Sequence, residues 1–535
     1  MKRSICISLL LLLCSCGSSN AGISPRYCSN TQHVRLAVGP DPATQMIVSF
    51  ASLPGSSPAP IGGVLVGDSP KTLHQKVHME SEPASSYHLP VGHHKGNAQN
   101  GDVYYSMHYH HITVSGLEPD TTYYYQPVFH SNLRAFASYQ LVNADPQEQI
   151  KDEVKLAFEE SELTAEDDLH RRELGLAAYD GSQKQCPAAE KVRSFKTAPA
   201  PVAPGDPVRK VTFAIMGDIG QYPHSEETLL RMMRSRDEID SIILAGDLAY
   251  PRLDQRQWDT FLDFLDDYPV AEYLPMQIVP GNHDIDKQED GDEIFLGYEH
   301  RFRMPRVKPA ELGRFDGPPG QLNMDAPPYP LPYEWGNAYY AYTYGPARFI
   351  MISAYSSMEP NSTQYKWIVE ELKAVDRKRT PWLLVVLHTP LYNTFGLHHH
   401  DPQIFAAKEH LEPLFVQYGA NLVFTGHIHA YLRTDYVANG ELDPKGPMHI
   451  TVGAGGRKCE APFQNAEPEP WVQVRDATYF GYGMFRIQNE THAQWDWIHT
   501  GHADSHVSNQ LYHSNTTLPP GPSLDRVTIY NQHFR

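Results

Sequence analysis

From Val208 onward the chain alternates short apolar runs with amphipathic segments, and no other feature restricts the possible folds as tightly. The runs are "VTFAIM", "SIILA", "MQIVP", "RFIMIS", "WLLVVL", "NLVFT" and "HITVG"; segments such as "STQYKWIVEELKAVDRK" lie between them. A strand that is apolar at every position, not at every second one, is covered on both faces, and crossover helices supply the cover. The expectation is an α/β sandwich of parallel strands over residues 208–504.

Upstream the pattern is all-β. Between about Arg35 and Thr197, Tyr, Val and Thr are frequent, and period-two stretches such as "MIVSF" and "HHITV" are bounded by Pro and Gly turns. In "LEPDTTYYY", Leu117, Pro119, Thr121, Tyr123 and Tyr125 alternate, which resembles the strand-turn-strand corner of fibronectin type III-like modules. Residues 22–200 are therefore expected to form such a β-sandwich. A helical insertion is expected at about 145–186, where Asp145-Pro146 with Glu148 reads as a helix start and Ile150, Val154 and Phe158 recur at i, i+4. Its density of Glu and Asp reads as a solvated surface. "SFKTAPAPVAPGDP" closes the module with a Pro-rich linker, and residues 505–535 lack an apolar period and read as a C-terminal tail.

At 535 residues the chain exceeds what one hydrophobic core usually supports, in line with this division. Its 44 Lys+Arg against 63 Asp+Glu give a net charge of −19, which argues against nucleic acid or anionic membrane as the main partner, since both demand clustered Lys and Arg. Residues 1–21 open with two basic residues, continue with an apolar core through Leu13 and reach a small-x-small site at Ser19 and Ala21. They read as a cleaved secretory signal, so a secreted protein with no membrane attachment is expected. The alternative is a lipoprotein signal with Cys16 as the lipidated residue, which the preceding Cys14-Ser15 matches poorly. Beyond the signal remain Cys28, Cys186 and Cys459, an odd set that allows one disulfide and leaves one thiol over. Asn361, Asn489 and Asn515 head glycosylation acceptors, expected at the surface on a secretory route.

Five of the apolar runs end in polar residues of one kind. They are Asp218 in "MGDIG", Asp247 and Tyr250 in "AGDLAY", Asn282 and His283 in "PGNHD", His388 in "VVLHTP", and His427 and His429 in "TGHIHAY". Ligands bind at the carboxyl ends of strands in such sheets. Taken singly, each has an ordinary explanation, an Asx turn or a hydrogen-bonded histidine. His283 aside, they set two carboxylates, a phenol, an amide oxygen and three imidazoles at one edge. These donors exceed what one tetrahedral ion with an open position uses, and they suit two ions bridged by a carboxylate, about 3.5–4 Å apart in paired hydrolytic centres. His427 and His429, two positions apart, would then each hold a different ion.

These blocks, in this order and spacing, resemble the metallophosphoesterase superfamily and specifically the larger, fibronectin-domain-containing purple acid phosphatases. Tyr250, three residues after Asp247, is the discriminating residue, and "QYKWIVEELKAVDRKRTPW" is similar to a segment of that family. The resemblance implies a metallophosphoesterase β-sheet sandwich flanked by helices, behind the all-β domain. It implies an acid phosphatase, secreted or else vacuolar or lysosomal, that hydrolyses small phosphate monoesters with a metal-bound hydroxide. Asp218, Tyr250 and His429 would hold Fe(III); Asn282, His388 and His427 would hold a divalent zinc, manganese or iron; Asp247 would bridge them. Hard anionic oxygens favour the trivalent ion, and neutral amide and imidazole suit the divalent one. Phenolate-to-iron charge transfer would colour the protein.

The same resemblance gives His283 the role of donating to the phosphate or the leaving oxygen. It places one histidine of "LHHHDP" at the substrate pocket: an ungapped comparison selects His398, one inserted residue selects His399, and His400 completes the cluster. Fibronectin-like domains of the family often contribute to dimer contacts, which makes a homodimer one assembly the resemblance allows. Two departures concern the pocket. Leu432 stands where the family usually has Glu after "GHxHxY", and Tyr222 stands where a small hydroxyl residue is usual. Neither removes a ligand. Phosphodiesterase, pyrophosphatase and phytase activities on the same metal pair are the alternatives within enzymes. Outside them stands a binding or adhesion protein with a vestigial phosphatase domain, against which the complete donor set speaks.

Overall fold

A computed structural model describes residues 31–534 except 55–58, 74–75, 80–82, 91–102, 130–190, 253, 287–293, 306–324, 460, 503–510 and 515–522. The signal segment, the expected helical insertion, Cys28, Cys186 and Asn515 lie outside the described residues. Cys459 is buried and Asn361 is exposed.

In the N-terminal part, β1 (Gln32–Val38), β2 (Met46–Ser52) and β7 (His108–Val114) form one antiparallel sheet. The other has the order β4 (Lys76–Met79), β3 (Gly62–Gly67), β8 (Thr122–Phe129), β9 (Arg193–Lys196), and a ribbon of β5 (His88–Pro90) and β6 (Val103–Tyr105) lies apart. Period-two alternation aims Val34, Leu36, Val48, Phe50, Ile112 and Val114 at Val64, Val66, Tyr123, Tyr125 and Phe195, which together fill the core between the sheets. At the "LEPDTTYYY" corner the Tyr123 hydroxyl accepts the Glu118 N–H at 2.9 Å.

The apolar runs that follow build two more sheets. Parallel β10 (Val211–Met216), β11 (Ser241–Leu244) and β12 (Met276–Ile278) continue through antiparallel β21 (Tyr479–Ile487) into β22 (His492–His502) and β24 (Ser523–Tyr530). The second sheet has the order β13 (Tyr340–Tyr344), β14 (Ala347–Met351), β15 (Trp382–Val386), β16 (Leu422–Thr425), β19 (Met448–Val452), β17 (Tyr431–Ala438), β20 (Val472–Asp476), β23 (Leu511–His513), with β18 (Glu441–Leu442) beside β17. Here β14, β15, β16 and β19 are parallel neighbours. Aromatic pairs join the two faces: ring centroids of Phe213 and Phe349 lie 4.9 Å apart, and those of Phe424 and Trp495 5.5 Å. Among the described residues the α-helices are α1 (Pro223–Arg234), α2 (Gln255–Asp267), α3 (Leu296–Arg301), α4 (Thr363–Lys373), α5 (Pro402–Ala406) and α6 (Glu412–Tyr418). Each of the longer ones turns an apolar stripe inward, Leu229 and Met232 on α1, Trp258, Phe261 and Leu262 on α2, Ile368 and Leu372 on α4. No helix among the described residues is long and apolar enough to cross a membrane.

The segment read from sequence as a C-terminal tail is part of these sheets, because β23 pairs with β20 and β24 pairs with β22. Its apolar period is broken by a polar anchor. Asp525 on β24 is buried and accepts from Tyr431 Oη at 2.6 Å and from Arg433 Nε and Nη2 at 2.6 and 3.0 Å.

The N-terminal sheets meet α2 and α3 through a second buried ion pair. Asp259 accepts from Arg301 Nη2 at 2.7 Å, from Tyr104 Oη at 2.8 Å and from Tyr109 Oη at 3.3 Å, and none of the four side chains is exposed. Truncating one partner of such a pair leaves the other charge buried and uncompensated. Asp259→Ala should therefore cost about 3–5 kcal/mol of stability, read as a lowered urea midpoint. A loss below ~1 kcal/mol would mean that the pair behaves as a solvated one.

Candidate metal centre

The strands β10, β11, β12, β15 and β16 end at Met216, Leu244, Ile278, Val386 and Thr425, and the residues just beyond turn inward. Parallel neighbours carry these ends to one edge. Asp218, Asp247, Tyr250 and His427 adopt φ of 56°, 54°, 53° and 68°, the left-handed region that non-glycine residues rarely occupy and that clusters at functional sites. Two motif glycines make room. A Cβ at Gly281 would lie 2.1 Å from Asp247 Oδ1, and one at Gly426 would lie 2.5 Å from Asp218 Oδ2.

Asp218, Asp247 and His388 place donor atoms within 4.8 Å of one another. Asp218 accepts the His427 N–H at 2.9 Å and the Tyr250 hydroxyl at 3.3 Å. His429 Nε2 lies 3.1 Å from Tyr250 Oη and 3.4 Å from Asp218 Oδ1. Asp247 Oδ1 lies 3.4 Å from His388 Nε2. On the far side, Asn282 Oδ1 meets His388 Nε2 at 3.1 Å and His427 Nδ1 at 3.0 Å.

What those last two contacts mean depends on where each imidazole carries its proton. His388 Nδ1 donates to the Ala245 carbonyl at 2.6 Å, and His427 Nε2 donates to Asp401 Oδ2 at 2.7 Å. A carbonyl and an ionised carboxylate only accept, so each imidazole has its proton there. Burial pushes both rings down, His427 to about 3, which keeps them neutral. Two lone pairs thus face one amide oxygen. A cation placed among these donors converts repulsion into ligation, and the donor set fits it. The carboxylates say the same: burial pushes Asp218 and Asp247 up to about 6, the behaviour of buried acids short of positive charge. Burial, then Asp218 and Asp247, holds the Tyr250 phenol well above its usual range.

Around this cluster stand other sequence-selected histidines. The His283 ring lies 4.7 Å from that of Tyr250, its Nε2 4.0 Å from Asp247 Oδ2 and 3.7 Å from Asp325 Oδ1, and burial lowers its pKa. His398 rests 4.2 Å from the His427 ring, and its Nδ1 bonds Asp401 Oδ2 at 3.1 Å, which raises its pKa against burial. His399 is half-buried and His400 exposed, and neither joins the donor groups. Two carboxylates went unselected from sequence. Asp284 accepts the backbone N–H groups of Asp247, Leu248 and Gly281 at 3.0, 2.9 and 2.9 Å and so clamps the loops after β11 and β12 together. Asp401, the N-cap residue of α5, holds both His398 and His427. The only local signals were an Asp closing "PGNHD" and an Asp-Pro helix start in "HHHDP". Leu432, a noted departure, is a buried core residue of β17.

Comparison with known proteins returns a consistent set of likenesses. Residues 211–431 match the calcineurin-like phosphoesterase model, residues 446–509 match "Iron/zinc purple acid phosphatase-like protein C", and residues 31–141 match the purple acid phosphatase N-terminal domain. Purple acid phosphatase 18 of Arabidopsis thaliana is 34% identical over 288 residues, 54% of this chain and 59% of that protein. Purple acid phosphatase 1 of Ipomoea batatas is 32% identical over 318 residues, 56% of this chain and 60% of that protein. The chain thus spans less than two thirds of the length of these relatives. A purple acid phosphatase structure from yellow lupin (Lupinus luteus) seeds superposes with a TM-score of 0.62 at 19% identity, over 90% of this chain and 74% of that one, a likeness of fold.

Two measurements follow from the geometry. Asp401→Asn should weaken zinc binding by the metal-free protein about 10–100-fold in calorimetric titration, as loss of a carboxylate behind a ligating histidine does. Zinc affinity should also depend on pH with a definite sign. Because Asp218 and Asp247 are raised to about 6, protons compete with the metal below that pH and not above it. Affinity should be level above pH 7 and fall below pH 6 by up to about tenfold per pH unit for each proton displaced.

Proposed function

The chain belongs to the purple acid phosphatase family of metallophosphoesterases, and from that premise we propose that it hydrolyses small phosphate monoesters at two metal ions held by the converged side chains. The observation that supports this most directly is the pair of imidazole lone pairs turned on the Asn282 oxygen beside two buried carboxylates. Asp218, Tyr250 and His429 would hold an iron(III) ion, Asn282, His388 and His427 a divalent zinc, manganese or iron, and Asp247 would serve both. When bound, the cations supply the charge that clamps phosphate oxygens and acidifies a water for attack at phosphorus.

The remaining steps belong to the protein. Ala245 and Asp401 fix the tautomers of His388 and His427, so the nitrogens facing the centre are unprotonated. Asp284 keeps the Asp247 and Asn282 loops in register. His283, beside Asp247, and His398, beside His427, would donate to phosphate oxygens and to the leaving oxygen. The expected setting is secretory, with residues 1–21 as the cleaved signal.

The test uses the full chain purified with its metals. Iron and a second metal near 1:1, a visible absorption band and hydrolysis of p-nitrophenyl phosphate are the expected results. Tyr250→Phe should lose the band while keeping bound metal. Asp247→Asn should lower kcat/KM at least about a hundredfold, beyond the loss of an outer partner. Parent-like turnover by metal-replete Asp247→Asn protein would overturn the assignment.

A further inference from the structure

We propose that Arg457, laid on Tyr222 at the edge of the centre, forms a subsite for a second phosphoryl group of the substrate, an inference that rests on the phosphatase reading above. Arg457 follows β19 in the loop "GAGGRKCE". That loop is sewn to the first ligand loop by the Arg457 N–H on the Asp218 carbonyl at 3.0 Å and the Gly455 N–H on the Gly217 carbonyl at 3.1 Å. A Cβ at Gly455 would lie 2.3 Å from the Gly217 oxygen, so the two loops touch backbone to backbone and Arg457 leaves from a fixed point.

The guanidinium carbon lies 4.4 Å from the centroid of Tyr222 and 5.3 Å from that of Tyr250. Tyr222 is itself held, its N–H donating to Ser225 Oγ at 3.1 Å. It is also a position where the resemblance predicts a small hydroxyl side chain, so the aromatic platform departs from that pattern. Stacking engages the flat face of the guanidinium and leaves its N–H edge for an acceptor.

No acceptor among the described residues takes that edge. Four other buried or half-buried arginines take carboxylates, Arg301 with Asp259, Arg433 with Asp525, Arg193 with Glu272 and Arg486 with Asp496, whereas buried Arg35 and Arg475 take backbone carbonyls instead. Half-buried Arg457 has no carboxylate or carbonyl on its guanidinium among the described residues, in a chain where acids outnumber Lys and Arg by 63 to 44. A cation left unpaired, rigidly stacked and one tyrosine ring from the metal-binding carboxylates is placed for an anion that arrives with the substrate. The guanidinium fork matches phosphate oxygens two at a time.

The experiment compares kcat/KM for ADP and AMP, which share every group except the added phosphoryl, in the metal-loaded full chain. Arg457→Gln should lower the ADP-to-AMP ratio about tenfold, the worth of one charge-assisted contact. Arg457→Lys should restore part of it, and Tyr222→Leu should lower it in the same direction. A fall below about threefold in Arg457→Gln, with AMP still hydrolysed, overturns the subsite. So does a fall in the ratio of 3-phosphoglycerate to glycerol 3-phosphate with none for ADP, which would assign a carboxylate site. A shifted visible band with an unmoved ratio also overturns it and gives Arg457 to Tyr250 instead. If the parent hydrolyses neither nucleotide nor p-nitrophenyl phosphate, the phosphatase reading fails and takes the subsite with it.

Discussion

Two imidazole lone pairs aimed at one amide oxygen, in a space closed on most sides, form the constraint on which the rest of the site depends. Leaving a single buried polar group unsatisfied costs about 1–3 kcal/mol, and here His388 and His427 are each fixed by a bond from the other ring nitrogen, while the Asn282 oxygen also accepts from Tyr355 Oη at 3.2 Å. Turning His388 would break its bond to Ala245, and turning His427 would break its bond to Asp401. The arrangement is therefore preorganised for positive charge, and the raised pKa values of Asp218 and Asp247 are the same fact seen from the oxygen side.

Such a site needs a frame stiffer than its own strain. Four left-handed residues, Asp218, Asp247, Tyr250 and His427, hold conformations that cost of order 1–3 kcal/mol each. The frame is two stacks of strands whose ends converge, cross-braced by aromatic pairs such as Phe213 with Phe349. Asp284 then joins the loops after β11 and β12 by accepting three backbone N–H groups. The conformational cost is thereby spread over a cooperative core and not borne by the loops.

What was legible in the sequence was whatever is written in consecutive residues. The runs "VTFAIM" and "WLLVVL" announce strands covered on both faces, and each candidate donor sits within a few residues of such a run, so both the sheet and the clustering of these side chains could be read locally. Features made by distant pairs could not. Asp401 acquires its role from His427, 26 positions away, and Asp525 turns a polar tail into a strand through Arg433, 92 positions away. Arg457 shows neither periodicity nor a motif, and its meaning comes from Tyr222 on a different loop. Covered strands and concentrated ligands are short-range patterns, whereas orientation of those ligands is long-range.

The N-terminal sandwich belongs to this long-range class, and its contacts bear on the site. Tyr87 donates to Gln255 Oε1 at 2.5 Å, at the first turn of α2 and just beyond the Tyr250 loop. Gln255 Nε2 in turn donates to Asp286 Oδ2 at 3.0 Å, and Asp286 follows Asn282 by four residues on the next ligand loop. Arg301 closes the circuit by donating to Tyr87 and Tyr104 while paired with Asp259 on α2. The loops carrying Tyr250 and Asn282 are thus buttressed from outside the catalytic sheets by a buried network. Buried polar networks of this kind hold one geometry only while every member is satisfied. Removing the sandwich would uncover Arg301 and Gln255 together, so the N-terminal part supports the candidate site through these contacts.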